Sequence, residues 1–505
     1  MRFVEVLKGV KLVTQSGNPT VSGLEYDSRR IRPGDVFVAL RGQSTDGNRF
    51  IDRAIGSGSV AVVTDSAAEP LRDGVAWAQV ESARQALARL SANFYGSPGD
   101  ALAITGITGT NGKSTTAFLV ESILRVAGRT SALIGTIEYH VAGETLPAPH
   151  TTPESLELNR IFRQALERGA TEVVMEVSSH ALAQQRVEGM HFDVAVFTNL
   201  TRDHLDYHRT MDEYFRAKQS LFTSGEAAPP RVAVLNLDDA SGKRLVALSR
   251  EQHSEVLTYG LEGGDFRAAK LESRADGTHF ELVTPQQPIA IFSPLIGRMN
   301  VYNLLAAAAA AWGRGLQPGE IARGLAAQAR VPGRFERIEG SQPFTVIVDY
   351  AHTDDALRNL TQLAREFVRA GGGRVLTLFG CGGDRDRNKR PLMGEAAGRS
   401  SDLVVLTSDN PRSEDPLAIM NDAAVGLQRS GAKYRMEPDR RAAIRLILAQ
   451  AEPGDIVLVA GKGHERLQVG ASGAIAFDDR EVARELLRAA GYECPGGAGE
   501  NRTDG

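Results

Sequence analysis

The stretch that most constrains this chain is GITGTNGKSTT, running from Gly106 to Thr116. It follows the apolar run Leu102-Ala103-Ile104-Thr105-Gly106 and leads into Ala117-Phe118-Leu119-Val120-Glu121, which reads as a helix. A strand, a glycine-rich loop and a helix start, in that order, cradle a phosphate. Small residues let backbone N–H groups approach an anion, and the helix start adds its dipole. Gly109, Thr110, Asn111, Gly112, Lys113, Ser114 and Thr115 are the candidate ATP contacts. Lys113 would reach the outer phosphates, and the Ser114 hydroxyl would face a magnesium ion. The strict pattern GxxxxGK[ST] would place glycine where Ile107 stands, whereas this chain has its glycines at 106 and 109. The alternative is a Gly/Thr-rich turn with a chance lysine, and the strand–loop–helix context argues against it.

A phosphate loop needs an α/β setting, and strand-like and helix-like segments alternate along most of the chain. At 505 residues there is room for about three domains. The turn cluster at 95–100 and Val331-Pro332-Gly333 divide it into 1–97, 98–331 and 332–492, with a Gly-rich tail, 493–505, expected to be disordered. The first block has strands around 36–40 and 60–63 and a helix near 82–95. The second has strands at 172–177, 194–197 and 232–236. The third has strands at 345–349, 374–379, 402–406 and 456–460, which fits a small doubly wound sheet.

Composition excludes several classes. A formal net charge of −4 gives no basic field for nucleic acid. Two cysteines, Cys381 and Cys494, make neither a disulfide framework nor a zinc pair and suit a reducing cytoplasm. The N-terminus has no apolar segment of signal-peptide length, and no run of 18 apolar residues exists to insert in a membrane. A cytoplasmic protein is expected.

Two further clusters end strands of the second block. One is Met175-Glu176-Val177-Ser178-Ser179-His180, the other Thr198-Asn199-Leu200-Thr201-Arg202-Asp203-His204. Open α/β sheets bind ligands at such ends, and Glu176, Asp203 and His204 offer donors that magnesium or manganese accepts. Singly, each reads as a cap or a satisfied polar group. In the third block, TSDNPRSEDP at 407–416 follows the apolar run 402–406. By residue type alone it is a solvated turn.

Taken in order, the motifs resemble those of the Mur ligases, and within them the members that add the third residue of the stem peptide. The resemblance spans about residues 20–490 and is carried by YDSR (26–29), PGDVFVAL (33–40), GTNGKSTT, HTTP (150–153), EVSSHAL, NLTRDHLDYH, GRFE (333–336), VDYAH (348–352), GCGGDRDRNKRP, DNPR and GKGHE. It implies an α/β architecture of three domains: one for the uridine nucleotide, a central P-loop domain for ATP, and a C-terminal Rossmann-like domain. It also implies the reaction. ATP phosphorylates the D-glutamate carboxylate of UDP-MurNAc-L-Ala-D-Glu, and an amino group of the incoming amino acid attacks the acyl phosphate. Magnesium is the implied cofactor, and a monomer is expected.

Residue by residue, the resemblance implies Lys113, Glu176, His204 and Lys218 as catalytic. Lys218 would be carbamylated and would join Ser114, Glu176 and His204 around metal. Asn111 and Asn199 would lie near the phosphates. Asn303, Arg334 and Asp349 would contact the base and ribose of ATP. Tyr26, Ser28, Gln43, Ser44 and Thr45 would face the uridine, and His150, Thr151, Thr152, Ser178, Gln184 and Arg186 the sugar and dipeptide. The DNPR signature resembles that of members adding meso-diaminopimelate. Its extra carboxylate suits a bidentate Arg412 with Arg385 as a second clamp, beside Asp409, Asn410, Pro411, Gly461 and Glu465. The competing expectations are an L-lysine-adding ligase, the sister ligase for D-Ala-D-Ala, a folylpolyglutamate synthetase, or a non-enzymatic P-loop switch.

Overall fold

The computed structural model describes residues 1–42, 45–66, 74–223, 225, 228–274 and 276–495. Three sheets and one hairpin carry the fold among these residues. The first sheet is ordered Leu12–Ser16, Ala76–Val80, Ala61–Thr64, Asp35–Ala39, Gly23–Glu25, and only its first pair is antiparallel. Its helix Ala83–Tyr95 begins where the Ser82 hydroxyl accepts from the Gln85 amide and stops at Gly96, whose φ of +74° suits a residue without a side chain.

The central sheet is built around six adjacent parallel strands, ordered Ser131–Ile134, Glu172–Glu176, Ala103–Thr108, Val194–Phe197, Val232–Asn236, Glu255–Gly260. All are nearly free of solvent-facing apolar alternation, as a sheet covered on both faces requires. Phe266–Arg274, Gly277–Val283 and Ile289–Ser293 extend one edge, and Glu138–Val141 with Glu144–Pro147 the other. Of these additions Gly277–Val283 alternates between buried and partly buried residues, whereas most of Glu144–Pro147 and of Phe266–Arg274 is exposed. The helix Arg298–Gly313 is buried between the phosphate-loop helix Lys113–Val126 and the central sheet, with Ala306 to Ala311 fully enclosed. Alanine there lets the two helices approach closely.

The third sheet runs Glu336–Arg337, Thr345–Asp349, Ile456–Ala460, Val375–Cys381, Leu403–Ser408, Tyr434–Met436, all parallel after the first pair. The strands expected to end at 379 and 406 continue to Cys381 and Ser408, so Asp409 is the first residue past the sheet. Leu467–Gly470 and Gly473–Ala476 form a separate hairpin.

Two expectations change. Gly106 is not part of the phosphate loop: the strand runs on to Thr108, and a Cβ at Gly106 would lie 2.6 Å from the Phe192 ring. The glycine serves sheet packing. The start of the supposed tail is anchored, since the Ser341 amide donates to the Glu493 carbonyl and the Glu493 amide to the Ser341 hydroxyl, each at 2.8 Å. Residues 496–505 lie outside the described residues. No helix among the described residues is long and apolar enough to cross a membrane.

Candidate active site

The phosphate-loop strand sits between Glu172–Glu176 and Val194–Phe197, parallel to both. Register pairs Glu176 with Ile107 and Phe197 with Thr108, so three strands release their loops at one edge. That is the crevice where open α/β sheets bind ligands. The loop is locked from the neighbouring strand. The Thr198 hydroxyl donates to the Asn111 carbonyl at 2.7 Å, and the Asn111 amide donates to Asn199 Oδ1 at 3.0 Å. A Cβ on Gly109, at φ +145°, would fall 1.8 Å from Thr198 Oγ1, and one on Gly112 would fall 2.3 Å from Asn303 Oδ1. Both glycines are required by close approach. Asn199 and Asn303 thus sit against the loop. Thr115 lines the adjoining cleft.

Two amines converge on the loop. Lys113 Nζ donates to the carbonyls of Gly109 (3.0 Å) and Thr110 (2.9 Å), and Lys218 Nζ donates to the same Gly109 carbonyl at 2.8 Å. Lys218 is almost fully buried, with its ammonium 4.6 Å from the Tyr214 ring centre. Burial pushes the Lys218 amine well below its ordinary value, Lys113 pushes it the same way, and Asp203 opposes them. Burial also lowers Lys113, against the pull of Glu176.

Glu176 is buried and accepts from the Thr136 amide (2.8 Å) and hydroxyl (3.0 Å). Asp203, also buried, lies 3.4 Å from Lys389 and 3.5 Å from His352, both in the third sheet's unit. Burial raises the Asp203 pKa, but Lys389 and His352 outweigh it and hold it well below the usual carboxylate range. His204 lies 3.4 Å from Asp203 and packs edge-on against His180, ring centres 4.8 Å apart. Burial keeps the His204 imidazole neutral against the pull of Asp203. Among the described residues no three His, Cys, Asp or Glu side chains converge on one point. Magnesium does not require it, because it retains water and phosphate oxygens and takes few protein ligands.

A cleft of about 780 Å³ opens beside Gly112 between the central and third sheets. Ile296, Met299, Leu360 and Leu363 give it apolar walls, and Asn300, Asn303 and Asn359 give it amides. Arg334 and Asp349 also line it. Arg334 donates to the Ser114 hydroxyl at 3.1 Å and lies over the Tyr350 ring at 4.4 Å. The Asp349 carboxylate accepts from the amides of Phe335 (2.6 Å) and Ala351 (2.7 Å).

The residues expected to face the UDP substrate fall in two places. Thr152 accepts from the Ser178 amide (3.0 Å) and donates to the Glu176 carbonyl (2.9 Å). Thr151 meets Thr136 at 3.1 Å, and the His150 carbonyl accepts from the Tyr139 hydroxyl. Arg186 donates to the Thr152 carbonyl (2.7 Å) and to Gln184 (2.8 Å). Thr152 thus bonds the Glu176 backbone directly, Thr151 reaches the Glu176 carboxylate through Thr136, and Arg186 and Gln184 join through Thr152. Tyr26, Ser28 and Thr45 belong to the first sheet's unit. The Tyr26 hydroxyl reaches Glu157 at 3.3 Å, Ser28 is buried, and Thr45 is exposed with its carbonyl accepting from the Gly42 amide. Gln43 and Ser44 lie outside the described residues.

The DNPR turn is no solvated loop. Asp409 and Asn410 are buried, and Arg412 is half-buried at φ +52°. Arg412 Nη1 donates to the Gly383 carbonyl at 2.6 Å. A Cβ on Gly382 would lie 3.0 Å from that nitrogen and 3.8 Å from Arg385 Cγ, so both arginines flank one glycine. Among the described residues neither guanidinium is paired with a carboxylate; Arg385 donates only to the Asp384 carbonyl. The Asn410 amide bonds three partners inside the protein. It donates to Glu465 at 2.8 Å and accepts from Lys462 (3.2 Å) and the Val469 amide (2.9 Å). These bonds hold the turn from inside the protein. Gly461, at φ +115°, passes where a Cβ would meet Asp409 Oδ2 at 2.7 Å.

Sequence reasoning missed Thr136, His352, Lys389, Met299 and Lys462. The lysine of GKGHE stood in a recognised motif and could have been singled out. His352 and Lys389 likewise stood in the recognised motifs VDYAH and GCGGDRDRNKRP, whereas Thr136 and Met299 lie outside every motif and carry no local signal.

Three α/β units meeting around a phosphate loop, two buried amines and a pair of unpaired guanidiniums define a nucleotide-using enzyme of the kind that activates a carboxylate. Family models agree: residues 20–95 match the Mur ligase family, catalytic domain; 107–311 the Mur ligase middle domain; and 333–463 the Mur ligase, glutamate ligase domain. A protein of Solibacter usitatus named UDP-N-acetylmuramoyl-L-alanyl-D-glutamate–2,6-diaminopimelate ligase is 54% identical, over 97% of this chain and 99% of that one. One of the same name from Geobacter metallireducens is 48% identical, over 93% and 94%. A solved structure with that name superposes with a TM-score of 0.66 at 33% identity, covering 97% of this chain and 99% of the other. The chain belongs to the Mur ligase family and has its three-domain architecture.

Proposed function

We propose that this protein is an ATP-dependent ligase joining meso-2,6-diaminopimelate to the D-glutamate of UDP-N-acetylmuramoyl-L-alanyl-D-glutamate, a step of peptidoglycan precursor synthesis. The observation that carries the choice of amino acid is the Arg385–Arg412 pair, two guanidiniums with no carboxylate partner among the described residues, facing Glu465. Diaminopimelate brings a distal carboxylate for the arginines and a distal ammonium for Glu465. L-lysine lacks the carboxylate. A site built for a missing polar group rejects the analogue by roughly 10⁴–10⁵.

The chemistry follows from charge. A carboxylate is a poor electrophile, so ATP phosphorylates it, and two anions must meet. Lys113 turns from the carbonyls it now holds to the phosphate oxygens. Asn303, Met299 and Arg334 hold base and ribose in the adjoining cleft. Thr152, Ser178, Gln184 and Arg186 place the dipeptide carboxylate beside Glu176. The amine then attacks the acyl phosphate, the tetrahedral intermediate collapses to an amide, and phosphate and ADP leave.

Burial pushes the Lys218 pKa well below its ordinary value, and its unprotonated amine would add to CO₂, forming an N–C bond and releasing a proton to give a carbamate. With Glu176, Ser114 and His204, the carbamate makes an oxygen-rich donor set that fits magnesium, which would offset the phosphoryl charge when bound. Mass spectrometry of an incubation with ATP, magnesium and both substrates tests the reading. The expected product is the UDP-tripeptide amide formed with loss of one water; an unchanged UDP-dipeptide overturns it.

A further inference from the structure

Lys462 lies at the centre of the amino-acid receptor yet faces no ligand space. Its side chain has no exposed surface. The ammonium donates to Glu465 Oε2 (2.9 Å), Asn410 Oδ1 (3.2 Å) and the Leu467 carbonyl (2.6 Å). All three of its protons are used. Asn410 adds a second bond to the same Glu465 oxygen at 2.8 Å, so lysine and amide fix the carboxylate from two sides. Across the receptor, Glu465 and Asp409 both act electrostatically on the Arg412 guanidinium, while Arg385 repels it. Asp384 also attracts it but is held by the Ser413 hydroxyl at 2.7 Å, and Asp409 is buried. Glu465 is partly exposed and is bonded to Asn410, whose carbonyl lies 3.5 Å from Arg412 Nη1. Glu465 is therefore the competitor able to take the position a substrate carboxylate needs. A long side chain at partial exposure swings to an unpaired guanidinium unless something stronger holds it.

We propose that Lys462 is the positioning residue that keeps Glu465 off Arg412, so that both guanidiniums stay open to the distal carboxylate of the incoming amino acid. The buried ammonium neutralises Glu465 in place and fixes which face the carboxylate presents. Without it, Glu465 closes on Arg412 and the receptor blocks itself. This inference rests on the diaminopimelate reading above. Wild-type turnover with diaminopimelate checks that reading separately, before any variant is compared.

The test is steady-state kinetics on the full chain for wild type, Lys462→Met, Glu465→Gln and the double variant. Lys462→Met is expected to raise KM for diaminopimelate by about tenfold or more with KM for ATP and for the UDP-dipeptide within about twofold. In the double variant the competitor has lost its charge, so its KM for diaminopimelate should be no higher than that of Glu465→Gln alone. A parallel rise in KM for all three substrates, or single effects that multiply in the double variant, overturns the proposal. Should Lys462→Met lose its fold, the double variant leaves no unpaired carboxylate and decides alone: equality with Glu465→Gln supports the proposal, and a further tenfold loss overturns it.

Discussion

Arg412 occupies a backbone conformation that side-chain-bearing residues seldom adopt, φ +52°, held by its amide donating to the Val469 carbonyl at 3.0 Å. Such strain persists where neighbours impose it, and here it aims a guanidinium at the receptor. Arg412→Ala is expected to raise KM for diaminopimelate by about a hundredfold, as loss of a bidentate charge pair does, while KM for ATP stays within about twofold. Equal losses for both would remove the receptor role. Lys218 makes a second residue-scale prediction. Its amine is buried and its pKa pushed well below the ordinary value, so native mass spectrometry of protein kept in bicarbonate should show one added CO₂ that Lys218→Ala lacks. The variant should lose kcat by about a hundredfold or more with little change in KM; normal turnover would argue against a carbamate.

The strand Glu138–Val141 carries its own prediction through His140. The ring touches Glu121 of the phosphate-loop helix at 2.8 Å and Glu138 at 3.0 Å. Burial opposes charging, but the two carboxylates win and push the pKa up to about 9. A raised pKa stabilises the folded protein fully below the unfolded value of 6.5, and that contribution is lost as pH rises through 9. The melting temperature should therefore fall between these pH values, and His140→Gln should flatten that part of the profile. A wild-type slope that survives the substitution would exclude His140 as its source. At this scale much was legible. The central parallel strands are continuous apolar runs, and the loop GTNGKST announces itself by residue type. The edge strands Glu144–Pro147 and Phe266–Arg274 were not legible, because they bury little and so show no alternation. Gly106 misled, since a glycine needed by Phe192 looks the same in sequence as one needed by phosphate. The DNPR turn read as solvated by composition; its burial comes from Lys462 and the hairpin at 467–476, remote partners that no local window contains.

At the scale of the molecule, the central and third sheets are joined by charged contacts around the site. Arg202 pairs with Asp386 (3.1 Å), Asp203 with Lys389 (3.4 Å), and Asn111 with Asp355 (3.3 Å). Asp386 is next to Arg385, and Asp203 next to His204, so the amino-acid clamp and the phosphate edge share one hinge of contacts. Arg202→Ala should lower kcat with diaminopimelate by about tenfold and leave the fold intact, since the pair is partly exposed and contributes little to stability. Unchanged kcat would free the chemistry from this contact. The unit boundaries proposed at 97 and 331 fall between the sheets, where limited proteolysis should cut first. The most direct test of the whole account is phosphate release from ATP with magnesium and UDP-MurNAc-L-Ala-D-Glu, with meso-diaminopimelate in one arm and L-lysine in the other. Release with diaminopimelate and only background with lysine is the predicted result. Release with lysine in place of diaminopimelate would contradict the role given to Arg385 and Arg412, and release with neither would contradict the ligase itself.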